Sequence, residues 1–128
     1  MAAAQVPLTP VQVQKLFFIL DKKAGEQLGG PHFDFQPYNY GPFDPTVYHE
    51  IDELASRGLA FVDGPGTSRR YGISAAGMGR GNDLLSKLPA VDYVRQVAEY
   101  VRSSSFAQLV SAVYKEWPEM KANSIFRG

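Results

Sequence analysis

The sequence predicts a mainly helical fold with a small β-wing: a winged helix-turn-helix-like single domain, residues 1–128, extended by C-terminal helices. Three observations carry this expectation. An amphipathic helix opens at Asp44-Pro45 and closes at Gly58; two short strands flank the Gly64-Pro65-Gly66 breaker; and two further amphipathic stretches follow Pro89. Periodicity near 3.6 in some segments and strand-turn-strand patterning in another is what separates helix from wing.

The first helix opens with Thr9 as cap and Pro10 at its first position, where a missing N–H does no harm. Val13, Leu16, Phe17, Leu20 and Ala24 form its apolar stripe, with Phe18 and Ile19 lying off it. Gly25 and Gly29-Gly30-Pro31 end it. Residues 32 to 43, HFDFQPYNYGPF, alternate at first like a short strand and then read as an aromatic, proline-containing loop. That loop stands where a DNA-binding helix-turn-helix places its first motif helix.

Asp44 suits the capping position of the next helix, and Val47, Ile51, Leu54 and Ala55 share one of its faces. Gly58 supplies a left-handed exit, with Leu59 placed for the accompanying apolar contact. Leu59 to Asp63 and Arg69 to Ile73 then read as the two strands of the wing. Ser74 caps a third helix whose glycines, at 77, 79 and 81, each cost about 1 kcal/mol relative to alanine, so its start is expected to be short or frayed and firmer from Asn82. Val91, Val94, Val97, Ala98 and Val101 define the next helix; Ser103 to Ser105 break and recap. Phe106, Leu109, Val110, Val113, Tyr114 and Trp117 make the last stripe, ended by Pro118. The tail, 119 to 128, is expected to be irregular, with Ile125 and Phe126 available to dock.

With 128 residues, 45% of them hydrophobic, one core is expected. The absence of cysteine removes disulfides and thiolate metal sites. No stretch is long and apolar enough to span a bilayer, and the start lacks the basic and apolar blocks of a secretory signal, so a soluble, cytoplasmic protein without a membrane partner is expected. The formal net charge of zero is unevenly spread. Residues 1 to 64 carry four basic and eight acidic residues, net −4; residues 65 to 128 carry nine basic and five acidic, net +4. Phosphate-gripping proteins show a clear basic excess, so any nucleic-acid binding is expected to be weak.

The candidate recognition helix is acidic. It offers Glu50, Asp52 and Glu53 against Arg57 and His49, whereas base readout favours Arg, Lys, Asn and Gln. Such a helix suits a protein partner, and Tyr38, His49, Glu50, Glu53 and Arg57 are the expected contact residues. Tyr38 is the expected exposed aromatic of its cluster, with Tyr40, Phe43, Tyr48 and Trp117 assigned to packing. Arg69 and Arg70, beside the wing tip, are the candidate contacts to a phosphate backbone; they equally fit a solvated hairpin. His32, His49, Asp34 and Asp44 match no standard ligand spacing, so no metal is expected. No serine sits in a nucleophile elbow, and Gly77-Met78-Gly79-Arg80-Gly81 is neither a dinucleotide fingerprint nor a P-loop. No cofactor and no enzymatic activity are expected.

The pieces Gln14-Lys15-Leu16, Phe33, Tyr40-Gly41-Pro42-Phe43 and Val47-Tyr48 resemble the Panacea antitoxin domain, the SocA-like group, over residues 9 to 62. The resemblance implies a non-enzymatic partner of a toxin, in which the Tyr40 to Phe43 loop and the helix from Pro45 form a shared scaffold and partner specificity lies elsewhere. Neutralisation or regulation within a bacterial toxin or defence system is therefore the leading expectation. A DNA-binding winged-helix regulator is the alternative, and a small subunit of a larger assembly the third. Oligomeric state is not legible.

Overall fold

The computed structural model describes residues 1–126, which form five α-helices and two two-stranded antiparallel sheets. In chain order these are α1 (Pro10–Ala24), β1 (Gln36–Tyr38), β2 (Gly41–Phe43), α2 (Thr46–Ser56), β3 (Ala60–Asp63), β4 (Arg70–Ile73), α3 (Ala75–Leu85), α4 (Val91–Ser103) and α5 (Phe106–Glu116). Short 3-10 turns occupy Ala2–Ala4, Gly66–Ser68 and Pro118–Lys121. No helix among the described residues is long and apolar enough to cross a membrane.

α1 begins with a reciprocal cap. Thr9 Oγ1 accepts the Gln12 N–H at 3.2 Å while Gln12 Oε1 accepts the Thr9 N–H at 2.9 Å, satisfying two otherwise orphaned donors. The Gln12 amide also donates to the Val101 carbonyl at 3.2 Å, tying α1 to the end of α4. The apolar stripe expected on α1 needs correction. Phe18 and Ile19, expected off it, are buried, while Phe17 and Leu20 are only half-buried. α1 packs against α2, α4, α5 and both hairpins, so burial is not confined to one face. Phe18 meets Phe35 and Trp117 edge-on, with centroids 5.3 and 4.9 Å apart.

The segment expected to be an aromatic loop is a hairpin. β1 and β2 pair antiparallel, Gln36 with Phe43, Pro37 with Pro42 and Tyr38 with Gly41. Two prolines argue against a strand because neither can donate to a ladder. Facing each other, they share one non-donating position and leave the pairing to their neighbours.

α2 starts at Thr46, one residue later than the sequence suggests, so Pro45 and not Asp44 holds the capping position; Asp44 Oδ1 still accepts the Thr46 N–H at 2.9 Å. Gly58 ends it with φ of 75°, and the Leu59 N–H returns to the Leu54 carbonyl at 3.0 Å. β3 and β4 pair from Ala60–Ile73 to Asp63–Arg70, forming the expected second hairpin. Leu8, fully buried, exchanges two 2.8 Å hydrogen bonds with Tyr71 on β4.

The frayed start expected for α3 is not observed. The helix runs unbroken from Ala75, with Ser74 Oγ accepting the Gly77 N–H at 3.1 Å. Two of its glycines answer a packing constraint: a Cβ on Gly77 would stand 1.8 Å from the Leu59 carbonyl oxygen, and one on Gly81 2.6 Å from Ala2 Cβ.

Val97, Ala98 and Val101 of α4 and Leu109, Val110 and Val113 of α5 join Leu16, Phe18, Val47 and Ile51 in one core cluster. The tail docks through the two residues expected to do so, and a 3-10 turn at Pro118–Lys121 adds order that was not expected. Met120 is buried, the Ile125 N–H donates to the Asn39 carbonyl at 2.9 Å, and Phe126 packs against Phe106 and Tyr114. The last two residues of the expected tail, 127 and 128, lie outside the described residues.

Candidate functional site

A buried polar pair on α1 fixes the first hairpin and the entry to α2. Gln14 donates from Nε2 to the Asp44 carbonyl at 3.0 Å and accepts the Asp44 N–H on Oε1 at 2.9 Å. Burial alone would raise the Asp44 carboxyl pKa, but hydrogen bonds from the Thr46 and Asp34 amides and the nearby His49 hold it below the usual carboxylate range. Lys15 is buried beside it, with Nζ donating to the Pro42 carbonyl at 3.3 Å. Burial lowers its pKa to about 7. Gly41 lies between this side chain and the Tyr114 ring: an added Cβ would come within 3.2 Å of the ring and 3.5 Å of Lys15 Cε. The buried Tyr114 hydroxyl has no hydrogen-bond partner among the described residues.

This scaffold holds α1 and α2 on one side of an apolar groove of about 640 Å³, with α3 on the other. The volume falls within the range of ligand and anchor-residue sites. Buried Val47, Ile51, Leu85 and Val94 form its floor, and half-buried Phe17, Leu20, Leu54 and Leu88 line its sides. Gly77 and Gly81, one helical turn apart on α3, border it where α3 packs closely on this chain's own Leu59 carbonyl and Ala2 side chain, at 1.8 and 2.6 Å from where a Cβ would stand. Leu84 is 50% exposed at the rim, an apolar side chain that the fold itself leaves uncovered.

Four polar side chains line the groove: Asp21, His32, Glu50 and Arg80. Two are committed. The Asp21 carboxylate accepts the His32 and Phe33 N–H groups at 3.1 and 2.9 Å, and His32 Nε2 bonds the Leu28 carbonyl at 2.8 Å. Glu50 on α2 and Arg80 on α3 are exposed and enter no ion pair among the described residues.

Of the residues expected to contact a protein, Glu50 lines the groove and Tyr38, His49, Glu53 and Arg57 do not. His49, Glu53 and Arg57 are exposed along α2, Glu53 and Arg57 forming a 3.2 Å ion pair. Tyr38 is 53% exposed on β1, its ring stacked on Phe43 at 5.1 Å. Tyr40, assigned to packing, is a correction: it is 38% exposed and touches Phe106 edge-on at the surface, because the two-residue turn between β1 and β2 turns it outward. Tyr48 is half-buried against the core and stacks on Tyr71 at 5.2 Å, and half-buried Phe43 meets the Tyr48 ring edge-on at 5.9 Å. Arg69 and Arg70 are exposed at the start of β4, away from the groove lining, with Arg70 Nη1 donating to the Arg69 carbonyl at 2.9 Å. Among the described residues no three His, Cys, Asp or Glu side chains gather to hold a metal ion.

Sequence reasoning missed Arg80, Leu84 and Leu88 as site residues. Leucines 84, 85 and 88 signal an apolar helix face, but periodicity does not distinguish a face covered by the core from one facing a groove. Compared with protein-family models and with curated proteins, the chain matches no family model and no curated protein.

Proposed function

We propose that this chain is a non-enzymatic protein-binding module, an antitoxin-like neutraliser or regulator in a bacterial toxin or defence system. In this reading α2, β3 and β4 are the recognition helix and wing of a winged helix-turn-helix whose recognition helix has turned from DNA to protein. The observation that carries it is the groove: an uncovered apolar channel bordered by the acidic, exposed face of α2. Contiguous exposed apolar surface with a polar rim is the usual signature of a protein interface. The Panacea-like motifs add the partner class, and they coincide with the buried Gln14 and Lys15 contacts that set α2 in place.

The test is recovery of the protein from its native operon. A toxin-like product of an adjacent gene should co-purify near stoichiometrically, and co-expression should relieve the growth arrest that product causes. Glu50→Arg with Glu53→Arg should weaken the complex while shifting stability by less than about 0.5 kcal/mol, as exposed helix positions do. A neighbour that neither binds nor is neutralised defeats the proposal. The DNA-binding reading draws on one observation, the exposure of Arg69 and Arg70 at the β3–β4 hairpin.

A further inference from the structure

We infer that the groove between α1, α2 and α3 seats an amphipathic helix of the partner protein, with a basic residue of that helix beside Glu50 and an acidic one beside Arg80. This inference rests on the protein-binding reading and names the chemistry of its occupant.

The argument begins with what the groove offers. Its lining is mainly apolar side chains of α1, α2 and α3, completed by the N-terminal turn, Leu59, Ile73 and Val94, and the backbone groups of the helices are already hydrogen-bonded within them. An extended peptide needs an open strand edge to satisfy its own backbone, whereas a helix satisfies its own and brings only side chains. From Gly77 to Leu85 the α3 wall rises about 12 Å, room for two to three turns of a docked helix.

Charge then fixes the borders. Asp21 and His32 are occupied by backbone partners, so the lining charges left to meet a ligand are Glu50 on one wall and Arg80 on the other. A helix with apolar anchors three and four residues apart, lysine or arginine along one border and aspartate or glutamate along the other, complements both walls at once. A fatty acid has one charge and leaves Glu50 facing apolar chain.

The probe is a fluorescein-labelled peptide of about fifteen residues with leucines on one helical face, lysines along one border and glutamates along the other. Fluorescence anisotropy reads its binding. Glu50→Lys and Arg80→Glu alone should each weaken binding about tenfold, since an exposed attraction becomes a repulsion. Reversing a helix in the groove exchanges its borders, so the double variant should regain the wild-type affinity. Leu84→Glu should abolish binding, with Leu84→Ala as a milder companion and a thermal melt to verify each fold. No binding at about 1 mM peptide overturns the inference, as does binding unaffected by any variant or additive loss in the double variant. Dodecanoate displacing the peptide in a manner dependent on Arg80 alone assigns the groove to lipid and overturns it. A dimer in sedimentation that Leu84→Glu dissolves assigns it to a second copy and also overturns it. A native partner retained undiminished by these variants sinks the groove assignment but not the protein-binding reading; peptide binding as expected, with no operon partner, sinks that reading alone.

Discussion

Gln14 and Asp44 exchange two hydrogen bonds across the core, the side-chain amide of one matching the backbone N–H and carbonyl of the other at 2.9 and 3.0 Å. Both residues are buried, so neither backbone group has water as an alternative. Replacing Gln14 with leucine keeps the volume and leaves both groups unpaired, at a cost of about 1–3 kcal/mol for each. Urea unfolding of Gln14→Leu should therefore show a loss of at least about 2 kcal/mol. A loss under about 0.5 kcal/mol would mean the pair does not fix the entry to α2.

Lys15 makes stability depend on pH in a definite direction. Its folded pKa of about 7 lies below the unfolded value. Below pH 7 both states carry the charge and the folded state bears the full desolvation penalty. Between about pH 7 and 10 the folded state sheds the proton while the unfolded state keeps it, so stability rises with pH. Above the unfolded pKa the gain is complete. Urea melts at pH 6, 8 and 10 should show this rise in the native chain and a smaller one in Lys15→Met. Identical slopes in the two proteins would place the titration on another group.

Tyr114 presents the opposite case, a buried hydroxyl without a partner among the described residues. Burying an unpaired polar group costs free energy, so removing it is harmless or better. Tyr114→Phe should leave stability unchanged or raise it by up to about 1 kcal/mol. A clear loss in thermal unfolding would show that the hydroxyl bonds something in solution.

Two of the three glycines of α3 should respond oppositely to alanine. Helix propensity favours alanine by about 1 kcal/mol at each. At Gly79 nothing lies within 4 Å of the added Cβ, so Gly79→Ala should stabilise the protein by about that amount. At Gly77 the Cβ would strike the Leu59 carbonyl oxygen and approach Ile73 Cγ2 to 2.8 Å, and Gly77→Ala should destabilise it. Equal behaviour of the two variants in parallel melts would contradict this packing of α3 on the β3–β4 hairpin.

Local signals in the sequence located the elements well where one residue settles the backbone. Thr9, Ser74 and Ser105 cap helices, and Gly58 ends one, because each acts on its own immediate neighbours. What was not legible depends on who packs against whom. α1 is surrounded, so a one-sided stripe misplaced Phe18; the β1–β2 pairing rests on two prolines meeting, which neither announces; and Gly77 looked like a helix breaker until Leu59 stood against it. The same limit applies to the site. Glu50 was identifiable as an exposed acid on a helix, but the groove beside it exists only because α1, α2 and α3, with segments distant in sequence, leave a space.

Charge placement bears on the DNA alternative. α2 exposes His49, Glu50, Asp52 and Glu53, and carboxylates facing phosphates are unfavourable, so base readout from this helix is not expected. Arg69 and Arg70 remain exposed at the β3–β4 hairpin and supply contacts of the kind that positions a protein on a phosphate backbone. Any DNA binding should then be weak and independent of sequence, with a shallow salt dependence, since two phosphate contacts release few counterions. A shift assay on a random duplex at about 50 and 200 mM salt should show affinity falling with salt, and falling further in Arg69→Ala and Arg70→Ala. Tight, sequence-selective binding that survives both substitutions would move the recognition surface elsewhere and restore the DNA-binding regulator as the better account of this fold.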